Sequence, residues 1–322
     1  MNANTISDEE LSVAAKRAHD VLQEVQRVYV GPKEVVELMM VGLMARGHVL
    51  LEGVPGVAKT TLVKAFATAL GCSFRRIQFT PDLLPADITG TYVLSPNEGT
   101  FVLRQGPIFT NVVLGDEINR APSKTQSALL EAMQEHQVTI EGETKMLPSP
   151  FIVLATQNPV EQAGTYPLPE AQIDRFLIRI AMSYPSEEDE VVMLNRFSQD
   201  APEPKAILNP EEVLSLQSLV SRVHVEPEIM EYIVRLARYT REHARLFLGA
   251  SPRASLALLQ ACRARALLLG RAHILPDDVK ILAESILAHR LVRTPEAEME
   301  GIQTGDIVQE ALRRTSLRHQ VR

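Results

Sequence analysis

Cysteine is scarce in this chain. Cys72 and Cys262 are the two in 322 residues, and they are too far apart to form a Cys-x-x-Cys pair. That usage points to a reducing compartment and argues against a cysteine-based metal site. Long apolar runs are missing too: none approaches the roughly 20 residues needed to span a bilayer. The first ten residues are polar and acidic, without the basic-then-apolar pattern of a secretory signal. The expectation is a cytoplasmic protein with no direct membrane insertion. No strong charge of one sign is present either. A net charge of −7 gives no sign of a general nucleic-acid binder, although a local basic patch would not show in the total. Internal repeats and low-complexity tracts are absent. What remains is an ordinary globular mixture, 45% hydrophobic and 23% charged, long enough for two domains.

Ser7-Asp8-Glu9-Glu10 has the spacing of a capping box and opens a predicted helix to about residue 28. Gly31-Pro32 breaks the chain before a helix over 35–44. Strands and helices then alternate: strand 48–51, helix 59–70, strand 74–79, strand 112–114, helix 123–135, strand 151–155 and strand 176–180. Such alternation implies an α/β fold with a parallel sheet flanked by helices. Two hairpins interrupt it, 91–94 with 100–103 and 137–140 with 143–147, either as edge decoration or as moving elements that touch a substrate. Past Tyr184-Pro185-Ser186, with Ser186 and Asp189 as a further N-cap, the pattern becomes helical: 191–197, 210–220, 227–243, 254–269 and 277–291. The expected domains are an α/β unit over 1–184 and an all-helical unit with its tail over 185–322. The tail is partly helical around 306–312, docked on the bundle or frayed.

Gly53-Val54-Pro55-Gly56-Val57-Ala58-Lys59-Thr60, followed by Thr61, joins the first strand to a helix. Glycines there let backbone N–H groups turn inward toward an anion, and the helix dipole favours negative charge at the same point. Lys59 would reach the outer phosphates of a nucleotide, and the Thr60 hydroxyl would ligate its magnesium. Ala58 stands where the general pattern has a second glycine. It is tolerable there at negative φ and strained by about 1 kcal/mol otherwise. Read alone, the stretch also fits an ordinary glycine-rich turn.

Val112-Val113-Leu114-Gly115 runs into Asp116 and Glu117. Burying charge is expensive, so two carboxylates ending an apolar strand invite a chemical reading. Asp116 can hold magnesium through water, and Glu117 can polarise a water for attack on the γ-phosphate. The bland alternative is a solvated acidic loop. A second apolar strand, 151–155, leads to Thr156-Gln157-Asn158-Pro159. Asn158, at the carboxyl end of a parallel strand, can orient the attacking water or contact the γ-phosphate, or else simply start an Asn-Pro turn.

Residues 53–61, GDEINRAP (115–122), QSALLEAMQ (126–134), ATQNP (155–159) and GTYPLPEAQIDRF (164–176) together resemble the MoxR branch of AAA+ ATPases, in order through nearly all of 30–300. Ala58 is itself similar to what that branch shows. The resemblance implies an AAA+ P-loop core followed by a helical lid, with ATP and Mg2+ as ligands. It implies that Arg175 is an arginine finger reaching a neighbouring subunit's nucleotide, and that Arg253, in Ser251-Pro252-Arg253, is sensor 2. Taken alone, Asp174-Arg175 reads as a surface ion pair. Arg253 alone reads as a plain helix-start arginine that opposes the dipole unless an anion compensates. Val30 and Gly31 would lie near the adenine, and Gln78 would couple partner binding to Glu117. The first hairpin resembles the insert in helix 2, and the second the hairpin before sensor 1. Hexameric rings and von Willebrand A domain partners are the expected assemblies, with the client protein unspecified.

Four functions fit these features. The first is a chaperone-like ATPase that remodels a partner protein or loads metal into it. The second is a DNA-directed motor or loader, which would want a basic, aromatic groove, whereas the second hairpin offers Lys145 against Glu141 and Glu143. No nucleic-acid partner is therefore expected. The third is a nucleotide switch without catalysis, for which Glu117 and Asn158 would be superfluous. The fourth is a magnesium-chelatase-like ATPase subunit, against which QSALLEAMQ and the 164–172 run favour the MoxR branch.

Overall fold

The computed structural model describes residues 6–96, 99–158, 165–197 and 202–315. The tip of the first expected hairpin and the 159–164 part of the motifs above lie outside the described residues. Helix α1 (Asp8–Val28) starts on the expected capping box: the Ser7 hydroxyl accepts from the Glu10 N–H at 3.2 Å, and Glu10 accepts from the Ser7 N–H at 2.9 Å. Then follow α2 (Lys33–Met44), β1 (His48–Gly53), α3 (Lys59–Ala69), β2 (Phe74–Gln78), the short α4 (Pro85–Thr89), β3 (Gly90–Leu94), β4 (Phe101–Gln105), β5 (Val112–Asp116), α5 (Ser123–Glu135), β6 (Gln137–Ile140), β7 (Glu143–Met146), β8 (Ile152–Gln157), the short α6 (Glu170–Ile173) and β9 (Phe176–Met182).

Five strands form one parallel sheet in the order β2-β5-β8-β1-β9. Both hairpins, β3–β4 and β6–β7, form separate antiparallel pairs, linked where the Tyr92 hydroxyl donates to Glu143 at 2.6 Å. Because side chains alternate along a strand, the sheet feeds two cores. Val49, Leu51, Val112, Leu114, Ile152 and Leu154 join the core built with α1–α3. Leu50, Val113, Val153, Ala155 and Phe176 join a second core with α5 and the hairpins.

The remaining elements are α7 (Glu187–Phe197), α8 (Pro210–Val220), α9 (Pro227–Arg241), β10 (Leu246–Leu248), α10 (Pro252–Leu268), α11 (Pro276–Leu287), β11 (Val292–Arg293), α12 (Pro295–Met299) and α13 (Thr304–Arg314). The Ser186 cap on α7 is present, with the Asp189 N–H donating to its hydroxyl at 3.1 Å. The all-helical expectation needs one correction: β10 and β11 pair antiparallel. Strands of three and two residues are too short to show any alternation in sequence. The described part of the tail is docked, since Ile307, Val308 and Ala311 of α13 are buried and the helix packs on α9 and α11. Leu216, Leu236, Leu258 and Leu282 extend the α1–α3 core into these helices, so the apolar packing is continuous across the α7 joint. Cys72 and Cys262 are buried and unpaired, and burial pushes the Cys72 thiol up to about 11. No helix among the described residues is long and apolar enough to cross a membrane.

His48, at the start of β1, is fully enclosed. Its Nδ1 accepts from the Val153 N–H at 3.0 Å, so its Nε2 donates to the Met133 carbonyl at 2.8 Å. Burial is the main force pushing its pKa down, from 6.5 to about 4. Between those values the unfolded chain binds a proton that the folded protein refuses. Stability is therefore full above pH 6.5 and is lost as the pH falls toward 4. His289, also buried, is pushed down and acts in the same direction. Urea unfolding is expected to show a loss of about 2 kcal/mol from His48 alone on going from pH 7.5 to pH 5. A midpoint independent of pH over that range would contradict this account.

Candidate active site

The P-loop leaves β1 at Gly53, whose position tolerates no side chain: a Cβ would stand 2.4 Å from the Met182 carbonyl oxygen on β9. Gly56 turns the loop at φ 85°. Ala58 adopts φ 55°, the left-handed region, so the conditional strain of about 1 kcal/mol is incurred. Helix α3 starts there with no side-chain cap and no acidic residue in its first turn. Its leading N–H groups thus have no capping side chain, and its first turn holds no carboxylate to offset the helix dipole, as suits a phosphate. Lys59 folds over the loop and donates to the Gly53 carbonyl at 2.7 Å. Burial pushes its pKa down, and the nearby Asp116 and Glu117 carboxylates oppose that shift.

Asp116 ends β5, 8% exposed, with both carboxylate oxygens engaged. Oδ1 accepts from the Thr156 hydroxyl at 2.6 Å, and Oδ2 accepts from Arg76 Nε at 2.9 Å and Nη2 at 2.6 Å. Glu117 follows in the left-handed region, φ 57°. Its N–H donates to the Thr156 hydroxyl at 2.8 Å. Its carboxylate accepts from Gln78 Nε2 at 2.8 Å and faces Arg120 Nε at 3.1 Å. Strain of this kind persists where surroundings over-determine it. Arg76 and Gln78, two residues apart on β2, therefore share one face of an edge strand and hold both acids between them. Asn158, buried, follows β8 at the same edge of the sheet.

Gly53–Thr61, Asp116, Glu117 and Asn158 are thus gathered at the carboxyl edge of the sheet, where ligands bind in open α/β folds. Val30 and Gly31 form the joint between α1 and α2, and a Cβ on Gly31 would meet the Tyr29 hydroxyl at 2.5 Å. Thr60 and Asp116 offer magnesium one hydroxyl and one carboxylate. Among the described residues no group of three or more His, Cys, Asp or Glu converges into a metal cage. So sparse a donor set fits magnesium that arrives on nucleotide phosphates and keeps several waters.

Arg175 and Arg253 are not part of this gathering. Arg175 precedes β9, opposite the start of β1, since His48 pairs with Phe176. Six residues of β1, about 20 Å at the ordinary strand rise, separate it from its own P-loop. Its guanidinium donates to the Leu130 carbonyl at 2.6 Å. Asp174 does not pair with Arg175 in a surface ion pair: it binds Arg290 at 2.7 Å and faces Arg253 at 4.0 Å. Asp174 is thus the anion that offsets a cation at the start of α10. Arg253 lines one cleft with Arg46, Arg175 and Arg290, where Asp174 is the single carboxylate among the lining residues.

Sequence reasoning missed Arg76 and Thr156. The alternation in Phe74-Arg75-Arg76-Ile77-Gln78 was the available signal for Arg76, because it puts residues 76 and 78 on one face. Thr156, fully buried in an apolar strand, offered none: its partners come from another strand.

Known proteins resemble this chain in sequence and in fold. Residues 48–178 match the family model described as ATPase family associated with various cellular activities (AAA), and 238–311 match the AAA lid domain. The chain is 49% identical to the uncharacterized protein YeaC of Bacillus subtilis, covering 90% of this chain and 92% of that one. It is 46% identical to Chaperone MoxR1 of Mycobacterium tuberculosis, covering 91% and 80% respectively. A crystal structure from Cytophaga hutchinsonii superposes with a TM-score of 0.91 at 41% identity, over 97% of this chain and 98% of that one. With its P-loop, its strand-end acids and its lid, the chain belongs to the MoxR family of AAA+ ATPases.

Proposed function

We propose that this protein hydrolyses ATP to ADP and phosphate as a ring and uses the cycle to remodel partner proteins, in the manner of a chaperone. The observation that carries the reading is the split of the chemistry between the two edges of one sheet. In this reading residues 1–184 hold the nucleotide and 185–322 form the lid. The uncapped start of α3 and Lys59 bind the phosphates, Val30 and Gly31 flank the adenine, and Thr60 and Asp116 carry magnesium. Magnesium, when bound, neutralises charge on the β- and γ-phosphates. Glu117 takes the proton of the attacking water, and Asn158 orients that water.

The cations that would complete such a site, Arg175 and Arg253, stand at the far edge of the same chain. Each subunit therefore lends both arginines to its neighbour's nucleotide, and a hexameric ring is the assembly the reading requires. Von Willebrand A domain proteins are the partners it anticipates, in the cytoplasm, with the client and any metal-insertion step as the open choices. The DNA-directed reading has less support. In the β6–β7 hairpin the one cation, Lys145, is bound to Glu143 at 2.6 Å and has little charge to offer a phosphate backbone.

Turnover per subunit, measured by phosphate release, is expected to rise steeply with protein concentration as rings assemble, and to follow the assembled fraction in light scattering. Turnover per subunit that does not change with concentration, in a protein that remains monomeric, would exclude the shared site. Salt-sensitive stimulation by DNA would revive the second reading.

A further inference from the structure

The start of β9 is held from the lid side. Arg290 lies in the 3-10 turn that closes α11, and its side chain is 3% exposed. Its Nε donates to Asp174 Oδ1 at 2.7 Å, its Nη2 to the Phe176 carbonyl at 2.8 Å and the Asp174 carbonyl at 3.3 Å. Its Nη1 donates to the Leu177 carbonyl at 3.2 Å and to the Ile286 carbonyl of its own helix. The neighbouring His289 adds a bond from Nε2 to the Phe176 carbonyl at 3.1 Å. The backbone on both sides of Arg175 is thus fixed by one guanidinium. Taking that cation out of water costs several kcal/mol, offset by bonds to the Asp174 carboxylate and to carbonyls that an apolar side chain would leave unpaired. Packing alone therefore does not account for an arginine here. The same Asp174 carboxylate, on the residue before Arg175, faces Arg253 at 4.0 Å, so Arg253 and Arg290 share one anchor.

We propose that Arg290 is a positioning residue for hydrolysis in the adjacent subunit: it clamps residues 174–177 to the lid so that Arg175 and Arg253 are presented as a single unit. The proposal rests on the reading that Arg175 acts on a neighbour's nucleotide. A lysine cannot take over, because a point charge on a flexible stem does not span acceptors spread over three residues and a carboxylate.

The test uses the full chain under assembling conditions. Arg290→Met is expected to lower kcat about 100-fold, the cost of misplacing a catalytic group by roughly an ångström. Nucleotide affinity, set at the opposite sheet edge, is expected to stay unchanged. Arg290→Lys is expected to resemble Arg290→Met. In mixtures with Glu117→Gln, which keeps its arginines but lacks the carboxylate, Arg290→Met is expected to regain turnover, as is Arg175→Ala. If neither mixture recovers, the shared-site reading fails. If the Arg175→Ala mixture recovers and the Arg290→Met mixture does not, the clamp is overturned. Wild-type kcat in Arg290→Met, or full recovery by Arg290→Lys, overturns it as well. Should Arg290→Met not fold, Asp174→Asn carries the same test: it leaves the carbonyl bonds and removes the carboxylate, with a loss on the order of 10-fold expected. Its mixture with Glu117→Gln must then recover, and failure to do so overturns the clamp.

Discussion

Changing Glu117 to Gln is expected to lower ATP turnover on the order of 10³-fold while nucleotide affinity stays at the wild-type level. The amide matches the carboxylate in shape and can still accept a hydrogen bond from Gln78, which meets Glu117 at 2.8 Å. It cannot take a proton from water. In the proposed reading phosphate binding rests on the α3 amides and Lys59, whose ammonium donates to the Gly53 carbonyl rather than to this carboxylate. Phosphate release and the binding of a fluorescent ATP analogue would measure the two halves of the prediction. Turnover within a few-fold of wild type would remove Glu117 from the role of base. Because the variant holds ATP without spending it, it also traps partners. Capture of a von Willebrand A domain protein would favour the remodelling reading, and capture of nucleic acid alone would count against it.

Arg175→Ala is expected to cost at least as much, on the order of 10³-fold or more in kcat, the scale on which an arginine stabilises the charge of a transferring phosphoryl group. The residue is a strand's length from its own P-loop, so binding of nucleotide to each subunit is expected to survive the change. Turnover and affinity should therefore separate cleanly, measured on the same assembled protein. Full turnover in the variant under assembling conditions would leave Arg175 as a surface residue that happens to meet the Leu130 carbonyl. A loss of affinity equal to the loss of turnover would mean that the substitution damages the fold.

Much of this geometry could be read from local chemistry. The Ser7 and Glu10 pair marked the start of α1, and Ser123–Glu135 appeared with both ends correct, because periodicity and flanking residues carry that information within a few positions. The P-loop and the Asp116-Glu117 strand end were legible as patterns for the same reason: each is a run of neighbours in sequence. Arg253 was a different case. Its side chain type and helix position were visible, but its place beside Asp174 depends on how the lid packs on the sheet, which no local pattern encodes. Arg76 stayed hidden because its partner, Asp116, lies 40 positions away. The left-handed Ala58 could be named as a condition but not decided, since φ at that position follows from the loop as a whole.

Two cores on opposite faces of one sheet also have a consequence for how such a protein can diversify. The hairpins are anchored through Tyr92, Leu103, Val138 and Ile140 in the core shared with α5, whereas α3 and the lid helices belong to the other. Changes that reshape the hairpins are therefore separated by a wall of strands from the packing of α3 and the lid helices. A lineage can reshape the hairpin face of the molecule while the α3 and lid packing is inherited intact.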